Sequence, residues 1–96
     1  MSIIEKALRL TKEALDMLTI EEDRQRNGEE TVGTPSQLQK SRIQLEQMLR
    51  QLETGQLPPI NRRLSGMGHM VGDSWPIDNP LGNALLDAEQ AYKRAK

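Results

Sequence analysis

Apolar and polar residues follow one another along this chain with the period of a helix. Between Ile3 and about Arg24, Ile4, Ala7, Leu8, Leu15 and Leu18 fall on one stripe, which Leu10, Met17 and Ile20 broaden. Ser2 and Glu5 have the spacing of a capping box, in which each side chain satisfies a free backbone N–H at the helix start. Glu5 and Arg9 are set four apart, acid first, as an exposed ion pair. Residues Gln25 to Gly33 are polar, carry Asn27-Gly28, and read as a flexible loop. Thr34-Pro35-Ser36-Gln37 is a second helix start: a capping Thr, Pro at the first helical position and Gln at the third. That helix runs to about Thr54, with Leu38, Leu45 and Leu52 in heptad register, Ile43, Met48 and Leu49 alongside, and Gly55 as its stop.

After Pro58-Pro59, the steps Ile60, Leu64, Met67 and Val71 predict a short third helix to about Gly72, broken by Trp75-Pro76. Asp78-Asn79-Pro80 opens a fourth, striped by Leu81, Ala84, Leu85, Ala88, Tyr92 and Ala95, with Asp78 as the expected cap. Amphipathic helices joined by short polar turns bury their stripes only against one another. The expected fold is all-α, a small antiparallel four-helix bundle, with residues 1–96 as one domain.

Composition sharpens that picture. Hydrophobic residues are 35% of the 96 and aromatics 2%, with no Phe. The core must therefore be built from Leu, Ile, Met, Val and Ala, which suits helices better than a sheet. Net charge is −1, with scattered basic residues, so the phosphate-neutralising excess of a nucleic-acid binder is missing. Without cysteine there is no disulfide, zinc–thiolate site or thiol nucleophile. The first residues lack the basic-then-apolar order of a signal peptide, and no run approaches the roughly 18 apolar residues of a membrane span. The expected location is cytoplasmic.

Candidate chemistry is sparse. His69 and Asp73 stand four apart on one helix face, a spacing that reads as a surface pair because no positioned nucleophile accompanies them. Position 66 is Gly, so the Glu-x-x-His metal pattern is missing, and no metal or cofactor is expected. Gly66, Gly68 and Gly72 do not form a dinucleotide fingerprint, since Val71 stands where its third glycine would be. They point instead to close helix–helix approach or to a partner's backbone docking there. Trp75 either closes the end of the core or is an exposed contact residue of the kind that dominates interfaces. Glu21, Glu22 and Asp23 end the first helix, where carboxylates oppose the macrodipole, so a basic partner surface is one reason for them.

Gln37-Leu38-Gln39, Arg63-Leu64, Val71 followed by Asp73, then Asp78 with Leu81, Ala84, Leu85, Asp87 and Ala88 form a pattern with a wider likeness. It resembles a family of small all-helical immunity proteins, antidotes encoded beside type VI secretion toxins, whose known type antagonises an NAD(P)-hydrolysing toxin. From Arg63 to Ala88 the pattern matches without a gap. The resemblance implies a non-enzymatic protein that binds a cognate antibacterial toxin domain, NAD(P)-consuming or ADP-ribosyl-transferring, and blocks its active site. The expected toxin-binding residues are Glu21, Glu22, Asp23, Asp73 and Asp78 as a phosphate-mimicking acidic patch, with Trp75 as apolar anchor. The alternative is a non-inhibitory helical adaptor or effector chaperone. Neither reading involves nucleic acid or a membrane.

Overall fold

The computed structural model describes residues 2–63 and 66–95, and among these all regular structure is helical. Helix α1 spans Ile3–Arg26, α2 Pro35–Thr54, α3 Met67–Ser74 and α4 Pro80–Arg94, with a 3₁₀ turn at Ile60–Arg62. Each boundary follows from local chemistry. Ser2 Oγ accepts the Glu5 N–H, the Ser2 half of the expected capping box. At α2, Thr34 Oγ1 accepts the Gln37 N–H while Gln37 Oε1 accepts the Thr34 N–H, so two otherwise orphaned donors are satisfied reciprocally. Gly55 ends α2 at φ +74°, a left-handed backbone that costs a residue without Cβ nothing.

The faces that turn inward differ in part from the apolar stripes. In α1 the fully buried line is Ala7, Thr11, Ala14 and Leu18, with Ile4, Leu8 and Leu15 half-buried beside it. Thr11 and, in α2, Ser41 enter the core because each hydroxyl donates to the carbonyl four residues back, Ala7 and Gln37, and so carries no unmet polar group inside. Conversely Ile20 and Ile43 point outward, 62% and 58% exposed. Arg9 pairs with Glu13 at 3.1 Å rather than with Glu5.

The expected third helix from Ile60 to Gly72 is not continuous. A 3₁₀ turn is followed by Arg63 at ψ +80°, outside helical geometry, and α3 begins only at Met67. The cause lies across the bundle. Arg63 is buried, its Nε donating to the Pro58 carbonyl at 2.9 Å, and its Nη1 reaching the carbonyls of Tyr92 (2.9 Å), Lys93 (3.4 Å) and Ala95 at the C-terminus of α4. A cation there also opposes the negative end of the helix dipole. Leu64, a member of the expected third stripe, lies outside the described residues. The cap of α4 is Asn79, not Asp78: Asn79 Oδ1 accepts the Gly82 N–H at 2.9 Å, and Pro80 takes the first helical position.

The helices run up, down, up and down. Glu22 of α1 meets Arg42 of α2, and Gly68 and Val71 of α3 meet Glu89 and Gly82 of α4. Helix α1 packs along both α2 and α4. Leu18, Leu38, Leu45, Met48 and Leu85 make up the largest wholly buried side chains of the shared core, with Tyr92 and Trp75 towards its two ends. No helix of the described residues is long and apolar enough to cross a membrane.

Candidate functional site

All six residues singled out by the sequence lie at one end of the bundle, where α1 and α3 finish and α2 and α4 begin. Trp75 joins the two connections. Its ring lies so close to Gly33 that a Cβ there would sit 2.8 Å from Cζ2, and its Nε1 donates to Gln37 Oε1 at 3.3 Å. Leu38 flanks the same spot, and Gly82 of α4 approaches the other side of the indole. At 6% exposure Trp75 belongs to the core, so the reading of it as an exposed apolar anchor is corrected.

The connection between α1 and α2 is likewise not the loose loop its polarity implied. Gln25 Nε2 donates to Thr31 Oγ1 (2.9 Å) and to the Gly33 carbonyl (3.0 Å), and Thr31 Oγ1 donates to the same carbonyl at 2.8 Å. The Val32 N–H donates to Glu21 Oε2 at 3.1 Å. Polar residues here fold the chain back onto α1 by satisfying its backbone groups.

This local architecture gives two of the candidate acids intramolecular work. Glu21 holds Val32 and Arg24, and its side chain is only 12% exposed. Glu22 takes a forked pair of bonds from Arg42, 2.9 Å from Nε and 2.5 Å from Nη2, and Arg42 Nη2 also donates to Thr19 Oγ1 at 2.6 Å. The bond to Glu22 is the main reason the Arg42 guanidinium is held above its ordinary pKa, against the opposing effect of its partial burial. The run of acids at the C-terminus of α1 is thus explained within the fold, since in an antiparallel pair that end lies beside the start of α2. Asp23 pairs with Arg26 yet stays half exposed.

What remains outward at this end is Asp23, Glu29, Glu30, Asp73 and Asp78, against Arg24, Arg26 and Lys40, with Arg24 paired to Glu29 and Arg26 to Asp23. One residue there escaped the sequence reading. Ile77, in the turn between α3 and α4, is 95% exposed. The turn is fixed on one side by buried Trp75 and on the other by the Asn79 cap, with the Asn79 N–H donating to the Pro76 carbonyl at 3.1 Å. An apolar residue between Trp-Pro and Asp-Asn-Pro was the available signal, but it lies in a turn and belongs to no helical stripe.

His69 and Asp73 are both exposed, and no hydrogen bond or ion pair joins them. No group of three or more His, Asp or Glu that could hold a metal ion occurs among the described residues. The three glycines divide. Gly68 lies against the Glu89 carboxylate, whose Oε2 accepts its N–H at 3.0 Å, whereas a Cβ added at Gly66 or Gly72 would meet no neighbouring element within 4 Å. Close helix approach therefore accounts for Gly68 alone of the three.

No family model, curated protein or solved structure matches this chain.

Proposed function

We propose that this protein is an inhibitor of the immunity type, which acts by binding and not by catalysis. Its partner is a secreted antibacterial toxin domain that consumes NAD(P) or transfers ADP-ribose, and the acidic end of the bundle covers that domain's substrate cleft. The observation that carries the reading is the pairing of exposed carboxylates with Ile77, a nearly fully exposed aliphatic side chain on a turn held rigid by its neighbours. An exposed apolar residue at an end where carboxylates outnumber cations is an arrangement that favours both fast capture and slow release. Clefts that bind the phosphates of a nucleotide are basic, so Asp23, Asp73 and Asp78 complement them. The resemblance of Arg63, Val71, Asp73, Asp78, Leu81, Ala84, Leu85, Asp87 and Ala88 to the pattern of small immunity proteins supports the same reading.

The test begins by isolating the protein that co-purifies in stoichiometric amount with the tagged chain from its source cell. Its enzymatic activity is then measured with and without added chain. Loss of NAD(P)-consuming activity, and its recovery with an Ile77→Asp variant that binds at least tenfold more weakly, is the expected result. A partner without such activity, or one whose activity is unchanged by the chain, overturns the proposal.

A further inference from the structure

Helix α3 is weaker than its surroundings require. The open space around Gly66 and Gly72 would admit an alanine at either position, and the left-handed backbone that calls for glycine is found at Gly28 and Gly55 instead. Gly66 offers no side chain to cap the helix, and Gly68 and Gly72 lower the helix propensity of its interior. No acid stands in its first turn and no base in its last to complement the dipole. At eight residues it is too short to be helical on its own account, so it depends on its seat.

That seat is narrow. Met67 and Val71, one turn apart, are its buried residues, and the helix packs on α4. Towards α2 it stands off across a groove of about 420 Å³, with Gln37, Lys40 and Gln44 on one wall and Met67 and Met70 on the other. The chain is fixed on either side of the helix: Arg63 by the carbonyls at the end of α4, and Trp75 by its packing against Gly33 and Gly82. The polar contact beneath α3 does not forbid its release. Glu89 accepts the Gly68 N–H but also pairs with Lys93 at 3.3 Å, so its carboxylate keeps a counter-ion when Gly68 leaves.

We propose that α3 is a strap that melts as a unit while Arg63 and Trp75 stay seated, and that this opening makes Met67 an oxidation site for hydrogen peroxide. The Met67 sulfur attacks one peroxide oxygen, and the O–O bond breaks as the S–O bond forms. Sulfur is oxidised by two electrons, peroxide is reduced, and its second oxygen leaves as water. The sulfoxide is polar and loses hydration if it returns beside Val71, so the oxidised chain keeps α3 open. Met48 is the internal reference. It is as enclosed as Met67, at 0% against 3% exposure, but belongs to the twenty-residue α2 with a cap at each end. Nothing here rests on the inhibitor reading, because the test uses the chain alone.

The full chain is treated with dilute hydrogen peroxide, and sulfoxide at each methionine is followed by peptide mass mapping. Met67 should react at least about tenfold faster than Met48, since local opening is far more frequent than global unfolding. Low urea should raise the Met48 rate and leave that of Met67 nearly unchanged, because melting one short helix exposes little surface. Gly72→Ala, which strengthens the helix, should slow Met67 by about two- to fivefold. Hydrogen exchange on the chain oxidised at Met67 should show the α3 amides up to Trp75 unprotected and those of α2 still protected. Equal rates at Met67 and Met48, or rates that rise together in urea, overturn the proposal. A fast Met67 that Gly72→Ala leaves unchanged does so too, since the sulfur is then reached through the groove without melting. Protected α3 amides in the oxidised chain overturn its locking by the sulfoxide.

Discussion

Arg63 does at residue scale what a terminal glycine or a run of lysines does elsewhere: it satisfies the last carbonyls of a helix. Here the cation comes from a connection about thirty residues earlier in the chain and is buried, with its guanidinium 5.7 Å from the centre of the Tyr92 ring. Replacing it by methionine keeps much of the volume but leaves the carbonyls of Tyr92 and Ala95 without their donor. Arg63→Met should lower unfolding stability by about 3 kcal/mol in urea titrations, and lysine, with no forked donor, should restore only part of it. Tyr92 gives a second prediction. Burial raises its pKa above the ordinary 10.0, and the nearby Arg63 charge opposes that rise only in part. Because the folded pKa is the higher one, the stabilisation is fully present below the unfolded value and lost as pH rises through the folded value. Stability measured by denaturant should therefore fall in alkali beyond the ordinary tyrosine range. In Tyr92→Phe, which also gives up the hydroxyl bond to Gln51, that part of the decline should vanish.

At the scale of the element, two glycines on facing helices should respond in opposite ways to the same change. Nothing lies within 4 Å of a Cβ added at Gly72 in α3, so Gly72→Ala should stabilise by about 0.5–1 kcal/mol through backbone entropy alone. A Cβ at Gly82 in α4 would meet Val71 Cγ1 at 3.1 Å and Trp75 at 3.4 Å, so Gly82→Ala should destabilise, with a lower thermal midpoint. The same contrast governs how far each helix could be read from the residues. Helix α2 was legible at both ends because Thr34, Pro35, Gln37 and Gly55 act on backbone groups within a few positions of themselves. The break between Ile60 and Met67 was not, because its cause is the pull of Arg63 towards the end of α4. Thr11 and Ser41 were missed as core residues because a hydroxyl returned to its own helix is counted as polar by any hydropathy pattern. The candidate acids fall at one end of the bundle, but their division into Glu21 and Glu22, which hold the fold, and Asp73 and Asp78, which face outward, depends on how the connections close.

For the whole molecule, a net charge of −1 conceals an end where carboxylates outnumber cations, and that segregation has a kinetic signature. Association with a basic partner should slow as salt rises, and Asp73→Lys with Asp78→Lys should reduce the low-salt on-rate at least tenfold while flattening its salt dependence, as read by stopped-flow mixing. Dissociation should respond more to Ile77 than to either acid, since a rim charge steers and a seated apolar side chain holds. The up-and-down arrangement also separates the two aromatic residues of the chain, its sole Trp and sole Tyr, to opposite ends of the bundle. Indole emission therefore reports opening where α2 and α4 begin, and phenol absorbance reports opening where they finish, without any introduced label. If the two melting curves superimpose, the bundle unfolds as one cooperative unit. If the indole signal moves first, the acidic end opens while the Arg63 clamp still holds the other.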